Sequence, residues 1–170
     1  VCIALGCSLV DSNGLLNLDI DNLVEIPSNA FKNCSTLKSV IFGSKSQLKT
    51  IGSYAFANTL LENILIPKSI TTISDNAFQN CSALTAVVFR DNSLLNNIGS
   101  YAFDATSLVS INIPANVIII NNNAFSSCTF LMHLIFDSEG ELTTIGSNCF
   151  SNSPIDFVYI PKKVATIGNY

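Results

Sequence analysis

Apolar residues recur along this chain in short blocks that share one internal order of polar and apolar positions. The blocks are Leu37 to Phe42, Leu61 to Ile66, Leu84 to Phe89, Leu108 to Ile113, Leu131 to Phe136 and Ile155 to Ile160, with Leu15 to Ile20 an earlier seventh. Val, Ile and Phe dominate them, as a pleated, half-buried surface requires. Alternation predicts strands whose fourth and sixth residues point inward and whose third and fifth point outward. A second apolar anchor follows each block, at Ile26, Ile51, Ile73, Ile98, Ile120, Ile145 and Ile167. Two residues beyond these anchors stand Ser28, Ser53, Asp75, Ser100, Asn122, Ser147 and Asn169, all of types that cap helix N-termini. A short helical or 3₁₀ turn is therefore expected after each anchor, with its Phe turned inward.

Those turns carry the clearest internal repeat. Ala-Phe stands at Ala30-Phe31, Ala55-Phe56, Ala77-Phe78, Ala102-Phe103 and Ala124-Phe125, and Cys149-Phe150 is a sixth copy, with spacings that alternate between 25 and 22 residues. A period in this range means a solenoid with one small supersecondary unit per repeat. Two-helix repeats need about 33 residues or more, so one strand and one short return must suffice. Residues 15–170 are expected to form an array of about seven repeats, cut short at the C-terminus, and residues 1–14 an N-terminal cap or the remnant of a preceding repeat. Pro67, Pro114 and Pro161 close every second strand, where a missing N–H is expected to leave the centre of the ladder intact.

Ile51-Gly52-Ser53-Tyr54-Ala55-Phe56 and Phe78-Gln79-Asn80-Cys81, together with the Leu-led strand blocks, resemble the BspA-like or treponemal-type leucine-rich repeat family over nearly the whole chain. Departures are Cys149 in place of Ala, and Asn121-Asn122-Asn123 where Gly-Ser is usual. The resemblance implies a leucine-rich repeat solenoid with a parallel β-sheet on the concave face and short turns or strands on the convex face. It also implies a surface or secreted protein that recognises host or matrix proteins, as in adhesion.

Composition narrows the chemistry. Hydrophobic residues make up 48% of the 170 and charged residues 12%, which argues against disorder. With 8 Lys and Arg against 12 Asp and Glu, the net charge of −4 offers no basic surface for nucleic acid. No apolar run approaches the ~20 residues of a membrane-spanning helix. Val1 to Leu5 is apolar but lacks the basic start of a secretion signal.

Six cysteines invite a disulfide reading. Cys34, Cys81 and Cys128 recur every 47 residues, alternating with Thr59, Thr106 and Ser153. Neighbours in that cysteine column lie two coils or about 10 Å apart, too far to bridge, so they are expected to be buried free thiols, as is Cys149. Cys2 and Cys7 are then the one pair placed to join, and zinc lacks further ligands there. Asn33-Cys34-Ser35 and Asn80-Cys81-Ser82 fit the glycan acceptor pattern, but the repeat alone explains them. His133, the only histidine, has no nucleophile and orienting partner to make it a catalytic base. No enzyme, cofactor or metal site is expected.

The outward strand positions remain as the candidate ligand-binding face. One column runs Asn17, Ser39, Asn63, Ala86, Ser110, His133 and Phe157; beside it run Asp19, Ile41, Leu65, Val88, Asn112, Ile135 and Tyr159. Ile41, Leu65 and Val88 are consecutive and apolar, and Ile135, Phe157 and Tyr159 form a second cluster. Exposed apolar patches of this kind mark partner contacts. The expected partner is a protein, with self-association as the alternative.

Overall fold

The structure, a computed structural model, describes residues 6–19 and 22–169. Its elements alternate between four-residue and two-residue strands as the chain coils. The longer set is β1 (Leu15–Leu18), β3 (Ser39–Phe42), β5 (Asn63–Ile66), β7 (Ala86–Phe89), β9 (Ser110–Ile113) and β11 (His133–Phe136). The shorter set is β2 (Glu25–Ile26), β4 (Thr50–Ile51), β6 (Thr72–Ile73), β8 (Asn97–Ile98), β10 (Ile119–Ile120), β12 (Thr144–Ile145) and β13 (Thr166–Ile167). All pairing between these strands is parallel, so each turn of the chain is one coil of a solenoid.

The core is an axial stack of equivalent side chains. Phe31, Phe56, Phe78, Phe103, Phe125 and Phe150 stack ring on ring, with centroids 5.2 to 5.7 Å apart and planes within 11° of parallel. The anchors Ile26, Ile51, Ile73, Ile98 and Ile120 are fully buried in the same manner. Thr59 and Thr106 are buried beside the Cys column: each hydroxyl lies 3.3 Å from the next thiol, Cys81 or Cys128. Those thiols donate to the carbonyl oxygens of Phe56 and Phe103 at 3.0 and 3.1 Å. Cys and Thr alternate there because both are small groups able to satisfy a buried carbonyl.

Three expectations need correction. The concave sheet is not one ladder of about seven strands: the longer strands pair only as β1–β3, β5–β7 and β9–β11, and the continuous seven-stranded sheet is made by the two-residue strands opposite. Residues 155–160 form no strand, only a bridge between Phe157 and His133. Proline supplies a physical reason. In the laced pair β5–β7, the Arg90 N–H donates to Ile66 O at 3.1 Å. The residue one coil earlier in that register is Pro67, which has no N–H to offer β3; Pro114 stands likewise toward β7, and Pro161 toward β11.

The second correction concerns the Phe turns, which are not helical. Among the described residues the one helical element is a 3₁₀ turn, Cys7–Leu9. Around each Phe the chain is instead a ribbon of overlapping tight turns. Alternate N–H groups close local turns, as Cys34 to Phe31 O, while those between bond the next coil, as Phe31 to Ala55 O at 2.8 Å. This needs positive φ two residues before and after Phe: Asn76 (60°) and Asn80 (57°) flank Phe78. The expected N-cap side chains act between coils too, Asp75 Oδ1 accepting from the Ser100 N–H at 2.7 Å and Asn122 Oδ1 from Ser147 at 2.8 Å. Coils approach so closely here that a Cβ on Gly52 would stand 2.6 Å from Ile26 O. Asn121, at that place in its coil, bonds Asn97 Oδ1 and Ile98 O.

The third correction is the disulfide. Cys34 is not a free thiol; it is bonded to Cys7, with Cα atoms 5.3 Å apart. The pairing of Cys2 with Cys7 is thereby excluded, and Cys2 itself lies outside the described residues. Within the column the coils are too far apart to bridge, and Cys81 and Cys128 are free and buried as expected, and Cys149 with them. That separation does not apply to the segment before β1, which folds over the first coil.

Candidate binding face

The outward columns are built by the alternation within each four-residue strand. Val40, Ile64, Val87, Ile111 and Leu134 turn into the core, so their neighbours must face out. Ile41, Leu65 and Val88 are 50%, 42% and 55% exposed, large values for side chains of this type. Asn63, Ser110, Asn112, His133 and Ile135 are exposed, while Ser39 and Ala86 are half-buried. Asn17 and Asp19 are also exposed, but the first coil is shifted by two residues from its expected place: Leu15 pairs with Ser39 and Asn17 with Ile41, so Asn17 belongs to the second column and Asp19 lies beyond the strand.

Register decides which of these residues meet. Leu65 is paired with Val88, and Asn63 with Ala86. Ile41 lies on β3, across the unlaced junction from Leu65. Asn112 pairs with Ile135 and separates the two apolar clusters, and His133 pairs with Ser110. Ser110 and His133 thus sit side by side, yet no hydrogen bond links them. The second cluster forms around a groove of about 500 Å³ where Phe157 and Tyr159 face Ile135 across the last of the three loosened junctions. Phe157 is 79% exposed.

A further set lies just beyond the strands, outside the outward columns. Lys45, Lys68 and Arg90 line one groove of about 700 Å³ with Leu65, Val88 and Phe89. Cations after three successive strand blocks were visible as a pattern, but strand alternation gives no direction for loop side chains. A neighbouring groove of about 570 Å³ is shared between β7 and β9 and is lined by Ser110, Asn112, Asn116 and Asp137.

Burial controls the thiols. Desolvation pushes the Cys81 and Cys128 pKa values up, against smaller opposing hydrogen bonds from Thr59 and Thr106. Cys149 is pushed up to about 12 by the same cause. These are inert packing groups rather than nucleophiles. Among the described residues, no group of three or more His, Cys, Asp or Glu side chains is placed to hold a metal ion. No helix of those residues is long and apolar enough to cross a membrane.

A parallel solenoid of short coils, packed by Phe and Ile stacks and open along a strand face, defines a leucine-rich repeat scaffold. Its sequence matches the model of the family described as "BspA type Leucine rich repeat region" in six copies, over residues 11–131 and 49–170. The chain belongs to that family. It is similar to a leucine-rich repeat protein from Bacteroides ovatus, with a TM-score of 0.78 at 28% identity over 90% of this chain and 38% of that one. It is similar also to the pneumococcal vaccine antigen PcpA, with a TM-score of 0.66 at 28% identity over 76% and 33%. The T. pallidum leucine-rich repeat protein TpLRR gives 0.55 at 26% identity over 84% and 77%. This chain thus spans little more than a third of the first two. No curated protein matches it.

Proposed function

We propose that the chain is a non-enzymatic recognition module that binds a protein through its strand face. The observation carrying this reading is the exposed apolar row Ile41, Leu65 and Val88 in a chain with few charges. Burial of such a row at about 25 cal/mol per Å² is the ordinary source of interface affinity. The Cys7–Cys34 disulfide supports an oxidising compartment, hence a surface or secreted location. The likeness to a pneumococcal vaccine antigen supports the same location, and with it a host-cell or matrix protein as the partner.

Matrix proteins immobilised one at a time and probed with this chain provide the test. The combined Ile41→Ser, Leu65→Ser and Val88→Ser variant should lose at least about tenfold in affinity for whichever protein is bound. Equal binding by variant and parent would exclude the strand face. The rival reading, a self-associating array, is favoured by Phe157, an aromatic side chain left 79% exposed. Light scattering over a concentration series separates the two: growth in mass that disappears in a Phe157→Ser variant would establish self-association.

A further inference from the structure

Cations are scarce in this chain, eight in all, and its net charge is −4. Three of them, including the sole arginine, nevertheless gather in the groove of about 700 Å³ at the ends of β3, β5 and β7. Lys45, Lys68 and Arg90 are all exposed there. Among the described residues the one ion pair is Lys163 to Glu141, so none of the three is paired. Asp91 also lines the groove, and Asp19 lies against Gly43 at its far end. The balance is positive here and reverses farther along the solenoid, where Asp137, Glu139 and Glu141 follow β11.

The floor is as informative as the rim. Leu65 and Val88, exposed on the strand face, continue into this groove. Coil spacing, given by the Phe stack at 5.2 to 5.4 Å, puts the first and third of the coils that carry these cations roughly 10 Å apart along the solenoid. That distance is about three residues of extended chain. An anion with no apolar part, a densely sulfated glycan included, would leave the floor wet. Carboxylates set close to an apolar side chain satisfy both rim and floor.

We propose that this groove binds an extended acidic peptide segment of the partner protein, its carboxylates on Lys45, Lys68 and Arg90 and one apolar side chain against Leu65 and Val88. The inference rests on the protein-recognition reading and adds the chemistry of the ligand.

The probe is a short fluorescent peptide of Glu and Ser with one central Leu, compared by anisotropy with the same peptide carrying Gln for Glu and with a heparin oligosaccharide. The acidic peptide should bind, and more weakly as salt rises. In the combined Lys45→Gln, Lys68→Gln and Arg90→Gln variant its affinity should fall about tenfold, and in Leu65→Ser it should fall for the Leu peptide alone, not for one with Ser in its place. All four positions are exposed, and an unchanged melting temperature verifies the fold of each variant. No binding at millimolar peptide, equal binding of the Gln peptide, or indifference to the three substitutions would overturn the proposal. Tighter binding of the oligosaccharide, lost with the cations, would make this a glycan site. A concentration-dependent dimer abolished by the same substitutions would assign the groove to the acidic turn of a second copy. If the peptide fails while the Ile41→Ser, Leu65→Ser and Val88→Ser variant still loses its matrix protein, the acidic ligand is wrong and the strand face stands.

Discussion

At the residue scale, the solenoid depends on side chains that tolerate unusual backbone. The position two residues after each stacked Phe has positive φ in every coil, and it is occupied by Asn33, Asn58, Asn80, Ala105, Ser127 and Asn152. Asn suits the left-handed region because its short amide bonds locally, and here Asn58 Nδ2 also donates to Asn33 Oδ1 at 2.8 Å. Ala105 has no such compensation. Ala105→Asn should therefore stabilise the protein by about 0.5–1 kcal/mol, read as a rise in the urea midpoint at constant slope. Cys149 makes a different prediction. Its pKa is raised in the folded state to about 12 from an ordinary 9.0, so the neutral thiol favours folding fully below pH 9 and that contribution is lost as pH climbs toward 12. Melting temperature should fall over this window, and less steeply in Cys149→Ala, which carries the residue found at this place in the other coils. The Asn positions show what the chain made legible and what it hid. The recurrence of Asn was plain in the sequence, but a capping residue and a left-handed residue draw on the same small set of side chains, and only the hydrogen bonds to the next coil tell them apart.

At the element scale, local alternation placed five of the six four-residue strands and divided their residues between core and surface, but it set the first strand two residues out of register, since Leu15 and not Asn17 pairs with Ser39. The Ile anchors and the Phe turns followed from period alone. Which junctions would be laced was harder to read, because it depends on the neighbour each N–H faces. Pro67 sits beyond the end of β5 and leaves that strand intact, yet its nitrogen points at the preceding coil, where it removes a rung. The Phe stack compensates by running uninterrupted across laced and unlaced junctions alike, with centroids 5.2 to 5.7 Å apart throughout. Phe103 is fully buried between two other rings. Phe103→Ala should destabilise by about 3–5 kcal/mol in chemical denaturation, since it leaves a cavity that neither neighbouring coil can close. The candidate face divides in the same way: its apolar columns came from alternation, whereas the cationic groove came from loops whose direction no periodicity encodes.

At the scale of the whole molecule, the array is a one-dimensional stack in which each coil touches only its neighbours, so stability need not be uniform along it. The Cys7–Cys34 bond acts at one end of that stack. It ties residues 27 apart in sequence, a loop for which the chain-entropy treatment gives about 3.5 kcal/mol. In a globule with a single cooperative transition, that sum would be lost everywhere on reduction. In a stack it belongs to the coils inside the loop. Replacing the pair as Cys7→Ser and Cys34→Thr, the latter copying Thr59 in the next coil, should therefore speed hydrogen exchange at the Phe31 and Asn33 amides by orders of magnitude. Those amides bond the second coil through Ala55 and Ala57. Exchange at the Phe103 amide, bonded to Ala124 O in the middle of the array, should change little. Equal acceleration at both sites would mean that the coils open as one unit, and the Phe stack would then have to transmit stability along its full length. Acceleration confined to the first coils would leave Leu65, Val88 and the cationic groove on rigid backbone even after reduction, so binding of an acidic peptide should survive a reducing buffer.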